Sequence, residues 1–395
     1  MESLEKLQAG GKRGPPVVPG KANESLLFLL VSGGKKPQMP PKTEDGLSAA
    51  EIETLRAWIE GGAPPGDAVP EAIPYGRPLE PPVYPRPPVV TALAYSLDGG
   101  LIFVSGYKEI LVHLAEPAEA KNSLQYRLLG EAERVNALAL SPDGKLLAAA
   151  GGSPARFGEV QIWETSSGKL LRFFRSGRDT FFSVVFSPDG KQVAFGGADR
   201  AVHLHDVATG REVYSVEMHS DWIFSLAFSA DGSRLASGSR DRTLKVCEAG
   251  TGKFLSTLRT FNDPVISVVS RPGTDLVLAS GEGKTPTLFD ARELKEVRHF
   301  EAAPGAILAS VFSRDGKLFA VSGSWDEVRV HQSEDGATKA TLKGSGEWIY
   351  ALAFRPDGER LATGGYEGAV RIYEIKEGKM VRDFVPVPVS GGGRS

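Results

Sequence analysis

The feature that most constrains this chain is a period of 42 residues. A short apolar run followed by a turn ending in Asp-Gly recurs as ALAYSLDG, ALALSPDG, VVFSPDG, LAFSADG, VFSRDG and LAFRPDG. Its aspartates are Asp98, Asp143, Asp189, Asp231, Asp315 and Asp357. Asp231 and Asp315 stand 84 apart, twice the period, and the missing member falls halfway in VVSRPGTD, Val268 to Asp275. A second ruler agrees: Trp163, His205, Cys247, Phe289, His331 and Tyr373 each close a short alternating run, and each lies 42 residues from the next. The first such run, EILVH, closes at His113, 50 residues before Trp163, with extra loop material placed around Glu116 to Ser123 and Ser153 to Gly158. Seven units result. Alternation with period two, bounded by Gly, Pro and Asp turns, predicts four short strands in each. In the fourth unit they are Ile223 to Phe228, Arg234 to Gly238, a strand ending at Cys247, and Phe254 to Leu258. One such sheet cannot cover both its faces, but seven stacked around an axis can.

The SPDG turns, the LASGSRDRTLKV stretch and the QIWE ending resemble WD40 repeats, over roughly residues 89–388. The fourth unit is nearest to that family's pattern. His219, a serine (Ser237 or Ser239) and Asp241 match the family's hydrogen-bonding set, and Cys247 stands where the family has Trp. Most other units lack the His, the Trp or both, so packing is expected to hold them together.

Residues 1–62 do not follow the repeat. Ser48 and Glu51 form a capping box ahead of an apolar face of Ile52, Leu55 and Ile59, with Trp58 beside it and Gly61 and Gly62 as the stop. A second helix is predicted over Glu24 to Val31, and KKPQMPPK, a turn holding Met39, lies between them. Ten of the 25 residues from Pro64 to Pro88 are proline, which predicts an extended linker.

The order GPPVVPGKANESLLFLL, QMPPK, LSAAEIETLRAWIEGGAP is similar to the planctomycete-type cytochrome c domain. That resemblance implies covalently bound haem c, a CxxCH motif upstream, and Met39 as an axial ligand. The plainer reading of Met39 is a turn methionine packing on Trp58. Here the first 88 residues hold neither Cys nor His, although a c-type haem needs both. The expectation is a truncated or decayed haem domain. The fold expected overall is mainly β: a seven-bladed WD40-like β-propeller (89–388), preceded by a small α-helical cytochrome c-like fragment (1–62) and a Pro-rich linker (63–88), with a flexible tail (389–395).

Composition narrows the function. A formal net charge of −3, from 46 basic and 49 acidic residues, argues against a chain-wide footprint for nucleic acid. The single cysteine, Cys247, excludes a disulfide framework, a zinc finger and a CxxC redox pair. Near the start the longest apolar run is Leu26 to Val31, too short for a signal peptide core or a membrane span. As written the chain is expected to be soluble and unexported, or periplasmic if a haem-bearing segment precedes it.

No GxSxG, HExxH or GxxxxGK[ST] is present, and no catalytic set emerges. His113, His205 and His331 sit at equivalent strand positions of different units, where they point outward and cannot converge on a metal. The loops entering the first strands carry Glu133, Asp179, Asp221, Asp263 and Glu347, followed by Arg134, Thr180, Trp222, Pro264 and Trp348. These loops should open on one face around the central channel. Two readings stand for them. Arg134, Asp179, Asp221, Trp222, Glu347 and Trp348 form a partner-binding rim, Trp and Arg being common binding anchors, or the acids merely cap their loops. The function expected is a non-catalytic scaffold for a protein or peptide partner. The alternative is a haem electron-transfer protein or propeller redox enzyme with a redox partner. A second cofactor in the channel would need His or Cys there, and Val135 to Leu140, Phe181 to Phe186 and Ile223 to Phe228 hold neither. With little strand exchange between the chain ends, the closing seam is expected to be the weakest interface.

Overall fold

The computed structural model describes residues 15–36, 39, 47–63, 79–117, 123–176, 179–344 and 348–389. The chain divides into two compact units, 1–69 and 70–395.

The first unit is built on two short α-helices, α1 (Leu26–Val31) and α2 (Ala49–Glu60), with a 3-10 turn at Ala22–Glu24. Ser48 caps α2 through a complete capping box with Glu51, because the orphan amides of the first turn need acceptors. Ile59 is fully buried against Val17, Ala22, Phe28 and Ala63, while Ile52, Leu55 and Trp58 pack around that small core.

The second unit is the propeller. It comprises seven antiparallel sheets of four strands, each formed by four consecutive strands of the chain, so no blade is shared between the ends. The first strands of successive blades contact one another and line the channel. The Asp-Gly repeat has a backbone cause. Its glycines, Gly144, Gly190, Gly232 and their counterparts, all sit near φ +70°, a region in which a Cβ is costly. The aspartate before each closes the turn. Asp143 accepts from the Ser141 hydroxyl at 2.7 Å and from Lys145 N–H at 3.1 Å.

Seven apolar clusters fill the seven blade-to-blade interfaces. Polar staples recur around the ring as well. Arg172, Arg298 and Arg382, at equivalent positions of three outer strands, each donate to a carbonyl in the next blade: Ala208, Glu334, and Leu114 with Ala115. At the inner strands the Ser225 hydroxyl donates to Val268 O at 3.0 Å and accepts from Val268 N–H at 2.9 Å.

The seam is better tied than strand order suggests. Blade 7 and blade 1 share a full apolar cluster around Val90, Leu93 and Tyr95. Glu116 takes both Arg355 and Arg360. The segment after the last strand (Lys379–Phe384) runs against blade 1, where Pro386 O accepts from His113 and Val389 bridges Tyr84. Residues 79–88, expected as the end of a linker, belong to this fastening: Tyr84 is buried and its hydroxyl donates to Glu109 at 2.6 Å. Ser153 to Gly158 is only partly loop, a three-residue turn at 154–156 between strand ends. It extends one hairpin, whose strands run Leu146–Ser153 and Phe157–Glu164. Among the described residues no helix is long and apolar enough to cross a membrane.

Candidate functional site

Antiparallel connectivity puts the loops entering the first strands on the same face as the loops between second and third strands. Backbone bonds tie the two sets: Ala198 N–H to Thr180 O, Arg240 N–H to Trp222 O, Tyr366 N–H to Trp348 O. Five of the six rim residues named from sequence fall on this face, and Glu347 lies outside the described residues. Arg134 is exposed at the start of the strand Arg134–Leu140. Asp179 turns inward, accepting from Thr180 N–H at 2.7 Å and Ala155 N–H at 3.0 Å. Asp221 accepts from Trp222 N–H at 2.8 Å and stands 3.9 Å from Arg240. Asp179 therefore ties its loop to the hairpin turn of blade 2, and Asp221 organises its own loop.

The indoles behave differently. Trp222 and Trp348 occupy the same repeat position in blades 4 and 7, and they remain 38% and 53% exposed. Arg240 lies over the Trp222 ring at 5.0 Å, and Phe182 packs beside it at 5.5 Å. Trp348 stands 6.5 Å from Tyr350. Exposed Tyr366 and Tyr107 add to the same face in blades 7 and 1. Sequence reasoning missed the inner-strand residues three past the loop acids of blades 3, 4, 5 and 7, Phe182, Phe224, Ile266 and Tyr350, and Leu308 at the matching position of blade 6. These form a part-exposed apolar arc at the channel mouth, and their 42-residue spacing was the signal.

The histidines serve structure. His113 and His331 are buried between blades, not turned outward. His205 and His203 pack on Phe195. In blade 4, Ser237 rather than Ser239 completes the set: His219 Nδ1–H donates to Asp241 at 2.9 Å and Nε2 accepts from the Ser237 hydroxyl at 2.7 Å. Burial opposes ionisation of Asp241, but hydrogen bonds from Thr243 and His219 outweigh it and hold the carboxyl down to about 2. Burial lowers the pKa of His219. Blades without this set use others. In blade 1 the buried Glu109 takes Tyr84 and both Nε and Nη2 of Arg127. In blade 2, Trp163 donates to Gln161, which donates to Glu159. Among the described residues no cluster of three or more His, Cys, Asp or Glu side chains could hold a metal ion.

Met39 is half exposed, with its backbone N–H on Leu30 O, and it is not among the residues that form the small core around Ile59. With neither Cys nor His in residues 1–88, this stretch offers no thioether bond and no imidazole to a haem, and the residues present do not fit that group.

Known proteins place the ring. Residues 180–385 match the family described as the IFT122 first beta-propeller, and residues 122–153 match the WD domain, G-beta repeat. The human intraflagellar transport protein 122 homolog is 37% identical over 68 residues, 17% of this chain and 5% of that protein. An uncharacterized WD repeat-containing protein of Synechocystis sp. is 29% identical over 104 residues, 26% of this chain and 28% of that protein. The small ribosomal subunit protein RACK1y of rice is 37% identical over 62 residues, 15% of this chain and 18% of that protein. The chain thus matches well under two thirds of the length of these relatives. With one family matched over more than half of its residues, on a ring of seven four-stranded sheets, this chain belongs to the IFT122-type WD40 β-propellers.

Proposed function

We propose that the propeller is a non-catalytic docking scaffold that receives a protein or peptide partner on the face bearing Trp222 and Trp348. One observation carries this reading: two indoles at equivalent loop positions of blades 4 and 7 stay exposed on one face, and exposed Tyr366 and Tyr107 stand on that same face. An amphipathic ring buries large area on contact at little cost in side-chain entropy; Arg240 supplies charge beside Trp222, and Arg134 adds charge elsewhere on the same face. Asp179 and Asp221 keep the loops in shape and act indirectly. The test is Trp222→Ala combined with Trp348→Ala. Capture of native partners by tagged protein should fall sharply while the melting temperature stays nearly unchanged. Collapse of the fold, or an unchanged set of partners, would refute the docking role.

A second reading concerns the first unit, whose sequence is similar to the planctomycete-type cytochrome c domain and which supplies the capped helix α2. Residues 1–88 cannot bind haem by themselves, so no electron-transfer step is assigned to them. Protein made from the coding region together with its upstream DNA separates the readings: a Soret band with thioether-type α and β bands supports a haem module and a redox partner, and a flat visible spectrum removes both.

A further inference from the structure

The face opposite Trp222 and Trp348 holds a 780 Å³ well where the channel opens between the Asp-Gly turns. Its wall repeats from blade to blade. One inner ring is alanine in four blades and valine in three, for example Ala139 and Val185. The rim residue just before each Asp-Gly position is proline in four blades, and Leu97, Ala230 and Arg314 in the others. Two of the serine hydroxyls near the mouth are already engaged. The Ser141 and Ser229 hydroxyls donate to Asp143 and Asp231, and none of the turn aspartates lines the well. Two charged residues do line it, both arginine and on neighbouring blades, Arg271 and Arg314. Arg271 donates to Gly316 O and meets the exposed Glu334 at 3.3 Å. Arg314 is exposed and makes no ion pair among the described residues.

The volume lies within the range of ligand clefts, about 300–1,000 Å³. A small-molecule site also needs convergent polar groups that fix orientation. Here a smooth apolar wall with charge of one sign at one side of the mouth fits a chain that enters and leaves. We propose that this well receives a peptide segment of a partner protein with two or three large apolar side chains next to a carboxylate, the carboxylate lying toward Arg314. The site is separate from the indole face and does not depend on it.

Fluorescence anisotropy with a dansylated octapeptide of leucine, phenylalanine and alanine bearing one aspartate tests this on the full chain. Controls carry lysine in place of the aspartate, or serine in place of the apolar residues. The acidic apolar peptide should bind and both controls should not. Ala230→Trp, at the exposed rim, should weaken binding about tenfold or more by filling the mouth. Arg314→Glu should weaken the acidic peptide and favour the lysine one, and it reports independently if Ala230→Trp does not fold. Trp222→Ala with Trp348→Ala should leave binding unchanged, so the two sites fail separately. No binding by the wild type, equal affinity for the lysine peptide, or full affinity in a folded Ala230→Trp variant would overturn the proposal.

Discussion

His113 fastens the two ends of the ring only as a neutral imidazole. Its Nε2–H donates to Pro386 O at 2.9 Å, and Nδ1 accepts from the Ser123 hydroxyl at 3.0 Å. The ring is 2% exposed. Burial, assisted by the Arg382 cation and opposed by the Pro386 carbonyl, pushes its pKa from 6.5 down to about 4. Between those values the unfolded chain takes up a proton that the folded chain refuses. This group's stability is therefore complete above about pH 6.5, falls as the pH drops towards 4, and loses nothing further below that. The interval amounts to about 3 kcal/mol, most of which is gone at about pH 4.5. Urea unfolding followed by tryptophan fluorescence, on wild type and His113→Gln, isolates the effect, since carboxylates titrate in both chains. Gln keeps a donor for Pro386 but takes no charge. At about pH 7.5 the variant should be less stable by about 1–3 kcal/mol, having lost the imidazole contact with Phe384. At about pH 4.5 that deficit should shrink by about 2–3 kcal/mol and approach or cross zero. A deficit of the same size at both pH values would refute the reasoning.

The Tyr84 hydroxyl donates to the buried Glu109 and also accepts from Tyr107 N–H. Tyr84→Phe should therefore cost about 1–3 kcal/mol in urea unfolding, and a loss below a few tenths would show that the segment 79–88 rests loosely on blade 1. Burial, partly offset by the nearby Tyr214 hydroxyl, pushes the Cys247 thiol up to about 11. It should resist an aromatic disulfide reagent in the folded protein near pH 8 and react within seconds once unfolded. Rapid labelling of native protein would contradict its place between blades 3 and 4.

Much of the ring was legible because a propeller repeats its chemistry. The left-handed glycine after each turn aspartate is forced by geometry, so Gly144, Gly190 and Gly232 print the period directly. The capping box of Ser48 and Glu51 was equally plain, being local. Contacts that join distant stretches were not. Tyr84, Glu109 and Arg127 come from three separate segments and meet only when blade 1 closes. The fastening of Pro386 to His113 spans 273 residues. The rim was half legible. The repeat placed Asp179, Asp221, Trp222 and Trp348 in like loops, but only the geometry shows the two carboxylates spent on backbone amides while the indoles stay open.

Each blade keeps all four of its strands from one continuous stretch of chain. A tandem duplication or an in-frame excision of 42 residues therefore adds or removes a whole unit without severing any hydrogen-bonded ladder. Only curvature, and the reach of the terminal stretch past Phe384, decide whether the altered circle can still meet itself. Such a gene is free to change its blade number by simple copying errors, and the constraint on its evolution lies at one junction instead of seven.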